Sequence, residues 1–252
     1  MNVDVAQAEF DVVAGWTADA VDELGADHAV PAACRGSGSP SALDWLSAGL
    51  GLARGRRLLD CGAGTGGPAA YARARTAAVP LLAEPMLGAC RAARRMFAQP
   101  TVVAPGGQMP LRDRSIDTAW SLGVLSTTPD RDGLLAELHR VLRPGAPLGL
   151  MVLVRVVDQL TEQPVDNHFP TGPQLDRSLS HAGFVVEARC DLTGLPSAPA
   201  EWERRADLVE EVVARDHRGD PRWIAAEESA ASIGRLLGDG QIEGRLLQAR
   251  RA

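Results

Sequence analysis

From about residue 56 the chain alternates short apolar runs with segments of helical spacing. Strand-length runs fall at 57–61, 79–83, 101–104, 116–122 and 148–154. Helical patterns at 67–76, 85–97 and 130–142 separate them. Apolar runs of this length bounded by turn residues mark buried strands, and their alternation with helices predicts a parallel sheet covered on both faces. A helix at 172–182 and a strand at 185–191 continue the rhythm, and a strand at 244–250 ends it. Before that last strand come two acid-rich amphipathic helices, 198–217 and 221–237, closed by the turn Gly238-Asp239-Gly240. An insertion there is a candidate lid or substrate wall.

The first 55 residues follow another pattern. Val5, Phe10, Val13, Trp16 and Val21 recur at helical spacing among acids, predicting a helix over 5–24. Pro31 and the run Arg35-Gly-Ser-Gly-Ser-Pro40 read as loop. Ser39 as N-cap and Pro40 as first helical residue predict a helix to about Leu50. The predicted organisation is one α/β domain, doubly wound: an N-terminal helical cap (1–55), a core (56–194), a helical insertion (195–240) and a closing strand (241–252).

Composition narrows the chemistry. The 252 residues carry 26 Lys+Arg against 32 Asp+Glu, a net charge of −6, and 4% aromatics. Neither a basic stripe nor a stacking platform for bases is present, which argues against nucleic-acid partners. All the Lys+Arg residues are arginines. Without lysine there is no Schiff-base nucleophile and no P-loop of the Walker type. Cys34, Cys61, Cys90 and Cys190 are scattered, with no metal-ligand spacing, so no metal is expected and the thiols read as reduced. The start, Met1-Asn-Val-Asp-Val5, lacks the basic and apolar regions of a secretory leader. The longest apolar stretch, 146–154, falls well short of the roughly 20 residues of a membrane span, so a cytoplasmic protein without a membrane partner is expected.

The candidate chemistry lies in Leu58-Leu59-Asp60-Cys61-Gly62-Ala63-Gly64-Thr65-Gly66-Gly67-Pro68, a strand entering a glycine turn that opens a helix. Glycines there allow a tight turn and let a ligand touch the main chain. Gly62, Gly64 and Gly67 satisfy the dinucleotide fingerprint, and Glu84 follows about twenty positions later, where an acid can hold ribose hydroxyls of a dinucleotide or of another adenosine cofactor. Asp60 separates these readings. A carboxylate just before the turn repels a pyrophosphate but suits an ammonium group. Two further segments follow in order: Met109-Pro-Leu-Arg-Asp-Arg-Ser-Ile-Asp-Thr-Ala119 and Arg140-Val-Leu-Arg-Pro-Gly145.

With these segments the chain resembles the class I S-adenosylmethionine-dependent methyltransferases. The likeness is to the small-molecule group that includes ubiquinone/menaquinone-type and natural-product methyltransferases, and it covers about residues 58–184. The resemblance implies a Rossmann-like, seven-stranded, mostly parallel sheet with its last strand antiparallel. It implies S-adenosylmethionine as cofactor, S-adenosylhomocysteine as product, and methyl transfer to an O, N or C nucleophile of a small organic molecule. Carried over by position, Asp60 and the turn with Gly62, Ala63 and Gly64 would meet the methionine moiety. Glu84 would take the ribose hydroxyls, and Pro85 and Met86 would flank the adenine. Gly107, Gln108 and Met109 would lie on its other face, and Leu122 and Gly123 would face the sulfonium.

Two family features are missing. The acid that often follows the third strand is replaced by Ala104-Pro105-Gly106-Gly107, and the His that often follows the fourth by Leu125-Ser-Thr-Thr-Pro129. His168, in the loop after the long fifth strand, is the remaining candidate base, because ligands gather at strand carboxyl ends and imidazole titrates near neutrality. Trp16, His28 and the segment near Trp202 are expected to wall an apolar substrate chamber with it, and Arg35 is a candidate partner for the cofactor carboxylate. The competing readings are a non-methylating binder of the same cofactor, such as a repurposed cyclase, and an NAD(P)-dependent reductase.

Overall fold

The structure, a computed structural model, describes residues 5–252, with side chains from residue 10 onward. Residues 1–4 of the segment read for a leader, and the side chain of Val5, lie outside the described residues. Helices α1 (Val5–Leu24), α2 (Ala29–Ala33) and α3 (Pro40–Gly49) precede the sheet. The core then alternates β1 (Arg57–Cys61), α4 (Gly67–Thr76), β2 (Val79–Glu84), α5 (Leu87–Phe97) and β3 (Thr101–Val103). It continues through β4 (Thr118–Leu122), α6 (Arg131–Val141), β5 (Pro147–Arg155), α7 (Gly172–His181) and β6 (Phe184–Asp191). Helices α8 (Ala200–His217) and α9 (Pro221–Gly238) separate β6 from the final strand, β7 (Ile242–Arg251).

The seven strands lie in the order β3-β2-β1-β4-β5-β7-β6. The pairs from β3 to β5 are parallel, whereas β7 runs antiparallel to both β5 and β6. The doubly wound, mostly parallel sheet predicted from the alternation is therefore the one observed, with the antiparallel close that the family resemblance implied. Parallel strands are buried on both faces and need near-continuous apolar sequence. β4 is buried throughout and β5 in most of its length. One apolar layer packs α6 and α7 on the sheet through Leu135, Leu138, Leu148 and Leu179. On the other face Leu43 and Leu46 of α3 and the following Leu50 pack against Leu58 and Trp120.

The strand order brings β2, β1 and β4 side by side, with Asp60 in register with Leu82 on one neighbour and Trp120 on the other. The carboxyl ends of these strands are where a doubly wound sheet offers a ligand crevice. Over that edge lies a cap drawn from both chain ends: α1 packs on α5, α8 and α9, and α2 packs on α4 and α8. No helix among the described residues is long and apolar enough to cross a membrane.

Candidate cofactor site

The buried part of β1, Leu58–Cys61, is apolar except for Asp60, which sits inside the sheet at 1% exposure. Its Oδ2 is buried without a hydrogen-bond partner, and so is the Trp120 indole Nε1 on the adjacent strand. Burial pushes the Asp60 carboxyl up to about 7; the Trp120 indole opposes this and the Glu84 carboxylate adds to it. An unpaired buried carboxylate is costly, and a cation with donors to give would relieve it. Cys34, from the cap, is close enough that burial and then the Asp60 charge push its thiol upward. The cap thus reaches the buried acid itself.

Glu84 ends β2 at 2% exposure. Its two carboxylate oxygens hold two backbone donors: Gly64 N–H donates to Oε2 at 2.8 Å and Met86 N–H to Oε1 at 3.1 Å. Burial raises the Glu84 pKa, those N–H bonds oppose it, and Asp11 adds to the rise. Glu84 therefore ties the glycine turn to the entry of α5. Gly62 N–H and Ala63 N–H both donate to the Ala83 carbonyl, at 2.8 and 3.3 Å, completing the tie between β1 and β2. Gly64 has φ +53°, and a Cβ there would come 3.3 Å from Phe10 Cζ. An exposed aromatic ring of α1 thus leans over the turn, 46% accessible.

The third glycine of the fingerprint has a different reason. A Cβ on Gly67 would lie 2.4 Å from the Ala33 carbonyl carbon, so Gly67 exists to let the end of α2 sit on the start of α4. Gly88 admits α1 in the same way, since a Cβ would stand 2.3 Å from the Asp11 carbonyl oxygen. Asp11 Oδ1 accepts the Gly88 and Ala89 N–H groups, capping the amino end of α5 from another helix. Nothing local in the sequence marks Phe10 and Asp11, because their significance is a contact with residues far along the chain.

The structure gathers Asp60, Gly62, Ala63, Gly64 and Glu84 at one strand edge, with Pro85 exposed beside them. Met86 is half-buried and packs on Ala14 and Ala18 of α1, so its side chain is partly committed to the cap. Gly107 and Gln108 are exposed, but Met109 is not a ligand-facing residue. Its side chain is in the core, its N–H donates to Glu137 Oε1 at 2.6 Å, and its carbonyl accepts from Arg140 at 3.1 Å. Arg140, with the Met109 N–H, holds Glu137 below the usual carboxylate range. Leu122 is likewise a packing residue, buried with Leu43, Leu46 and Met151. Gly123, with φ +85°, ends β4 beneath the Arg35–Ser37 loop, where a Cβ would come 3.8 Å from the Gly36 carbonyl.

Three expectations are corrected. His168 is exposed and lines a cavity with Arg131, Arg155 and Gln174, not with Asp60 and Glu84; its main chain is held outside by Ser126 O at 2.6 Å and Arg131 at 2.8 Å. Arg35 pairs with Asp207 and, at 3.1 Å, with Glu210 of α8, so it bridges the two halves of the cap. The apolar chamber does not form from Trp16, His28 and Trp202. Trp16 stacks on His217 at 3.9 Å under the Arg222 guanidinium, Trp202 meets Tyr71 edge-on, and His28 turns to the Gly25 carbonyl. The cap helices hold these partly exposed side chains against their own neighbours.

Comparison with known proteins agrees with this geometry. Residues 59–150 match the family described as methyltransferase domain. The chain is 28% identical over 157 residues to the methyltransferase GfsG of Streptomyces halstedii, covering 58% of this chain and 56% of that one. It is 37% identical over 112 residues to a malonyl-(acyl-carrier protein) O-methyltransferase of Pseudescherichia vulneris, 44% of each chain. The chain thus spans about half the length of these curated relatives. Among solved structures, the 4+2 cyclase SpnF superposes with a TM-score of 0.66 at 24% identity, over 83% of this chain and 79% of that one. The matched stretch runs from β1 to β5 and contains the glycine turn, Glu84 and Gly123, so the family match falls on the part of the chain that builds this site.

Proposed function

We propose that the chain binds S-adenosylmethionine at the Asp60–Glu84 edge and transfers its methyl group to a small organic molecule. The observation that carries this reading is the Asp60 carboxylate, buried at the glycine turn with an oxygen left unpartnered. One acid, Asp60, stands at the turn where a dinucleotide would need to place its pyrophosphate; it suits instead an ammonium group, and Glu84 suits a pair of ribose hydroxyls. The residues fit the cofactor in a second respect: the side-chain-free turn at Gly64 leaves its main chain open under Phe10.

When bound, the cofactor supplies a sulfonium methyl already activated for in-line displacement. The chain's task is then positional. Asp60 would neutralise the ammonium, Glu84 would accept from the ribose, and Gly62, Ala63 and Gly64 would offer main-chain contacts. Pro85, Met86, Gly107 and Gln108 would border the adenine, without the carboxylate that the family often places there. Gly123 would leave room at the end of β4 for the acceptor. A well-oriented donor and acceptor can supply roughly 7–11 kcal/mol of a barrier, so this reading needs no base at His168. Calorimetry of the full chain with S-adenosylhomocysteine and, separately, NADH tests it. Saturable binding of the first and none of the second is expected; the reverse would overturn the assignment.

A further inference from the structure

A cavity of about 810 Å³ is walled by Arg131, Arg155 and the loop that joins β5 to α7, and that wall is hydrogen-bonded to the 3₁₀ turn Val124–Ser126. That volume is in the range of sites that hold metabolites. The turn connects it to the cofactor edge. Its first residue, Val124, sits so close to the glycine turn that a Cβ on Gly62 would come 2.2 Å from Val124 Cγ2. Its other residues hold the cavity wall: Leu125 O accepts from Arg131 Nε at 3.1 Å, and Ser126 O from His168 N–H at 2.6 Å. Gly123 and this turn therefore join the end of β4 to the residues that brace the cavity wall.

The cavity's cations are unlike most arginines of this molecule. Many of the others are tied to acids, as Arg215 is to Glu23 at 2.9 Å and Arg235 to Glu162 at 2.7 Å. Arg131 is half-buried, burial lowers its pKa, and its Nε and Nη2 donate only to main-chain carbonyls. Arg155 likewise donates through Nη1 to the carbonyls of Val157 and Asp158. Among the described residues neither guanidinium stands in an ion pair. The acids in the same wall are Asp158, Glu162 and Asp166; Glu162 is occupied by Arg235 and by Ser232 at 2.7 Å. A guanidinium carries five donors in a planar fork matched to a carboxylate or phosphate. Two of them lining one cavity, each with donors left over, offer charged donors to an anion.

We propose that this cavity binds an anionic oxygen group, carboxylate or phosphate, of the methyl acceptor, held by Arg131 and Arg155. The anion site stands on the cavity alone, while its assignment to the acceptor rests on methyl transfer beside Gly123. His168 then serves as a wall of the acceptor's anionic end instead of a base.

The test is calorimetry of the full chain, with and without saturating S-adenosylhomocysteine, titrated with sodium pyrophosphate and separately with sodium malonate at fixed ionic strength. At least one anion binds saturably, and pyrophosphate alone or malonate alone assigns the group as phosphate or carboxylate. Arg155→Gln and Arg131→Gln each weaken that binding at least tenfold and leave S-adenosylhomocysteine affinity within about twofold. Arg131 also supports the loop, so Arg155→Gln decides if the other variant does not fold by circular dichroism. Neither anion binding, or both folded variants keeping wild-type anion affinity, overturns the proposal. Loss of S-adenosylhomocysteine binding in the wild type would instead overturn the methyl-transfer reading and leave the anion site to its own result.

Discussion

The glycine turn and the cap that covers it are built by opposite means. The turn is local: Asp60, Gly64 and Glu84 lie within one β-α-β unit, and the ties that shape it run between adjacent strands. The cap is assembled from the two chain ends. Glu23 of α1 meets Arg215 of α8, and Arg35 meets Asp207 and Glu210 across some 170 residues of sequence. The turn is held by buried hydrogen bonds to a carboxylate, whereas the cap is held by half-exposed ion pairs around a small apolar cluster of Ala20, Val21, Val209 and Val213. Buried polar ties are strong and unforgiving, and exposed pairs contribute little each. The site proper should therefore break under single substitutions that the cap absorbs.

The largest effect is expected at Gly64. Gly64→Val places a branched side chain at φ +53° and against Phe10, in the space the cofactor needs. S-adenosylhomocysteine binding should vanish in calorimetry while circular dichroism stays native-like. Retained binding would place the ligand elsewhere.

Glu84→Ala comes next. It removes the acceptor of the Gly64 and Met86 N–H groups together with the ribose acceptor. Affinity for S-adenosylhomocysteine should fall tenfold to a thousandfold, about 1.4–4 kcal/mol. Some loss of stability should accompany it, because two backbone donors lose their partner. A folded variant with an unchanged dissociation constant would contradict the assignment of Glu84.

Asp60 gives a smaller, pH-dependent effect. Its carboxyl is raised to about 7 in the folded chain, against an ordinary value near 4. Between these values the folded chain holds a proton that the unfolded chain has released. The contribution to stability is complete below about pH 4 and is lost as pH rises through about 7, at no more than about 1.4 kcal/mol per unit. Glu84, also raised, acts in the same direction. Urea unfolding of wild type and Asp60→Asn from pH 4.5 to 7.5 should show the fall in the wild type and a flatter profile in the variant. Parallel profiles would mean that Asp60 ionises as freely as in the unfolded chain.

The smallest effect is expected in the cap. Arg215→Ala removes a pair whose partners are each about half exposed, 53% and 50%. Its cost in urea unfolding should be small beside that of Glu84→Ala, with S-adenosylhomocysteine affinity unchanged. A loss as large as that of Glu84→Ala would show that the cap and the turn form one cooperative unit.

The same contrast explains what could be read from the sequence. β1 and α4 fall at the residues predicted, 57–61 and 67–76, because an apolar run, a glycine turn and a Pro at the helix start are all local signals. The predicted strand at 116–122 begins instead at Thr118; Ile116 is drawn aside into a single bridge with Leu142. Helix α2 was not predicted. It is five residues long, contains Pro31 and has no side-chain cap, so packing alone holds it. Asp60 and Glu84 were legible because charge at a buried strand end is conspicuous. Phe10 and Asp11, Arg35 with Asp207, and the Trp16–His217 stack were not, since each depends on which distant surface folds against it. His168 shows the limit from the other side. Its place after the fifth strand was read correctly, but the turn Val124–Ser126, which anchors its main chain outside the cofactor edge, has no signature in sequence.

A crystal structure of the full chain grown with S-adenosylhomocysteine tests the central claim most directly. The ligand's ammonium should lie at Asp60, both ribose hydroxyls should reach Glu84, and the main chain at Gly64 should touch the ligand beneath Phe10. A ligand bound away from this edge, with Asp60 still buried and unpartnered and Glu84 making no contact with ribose, would contradict the account.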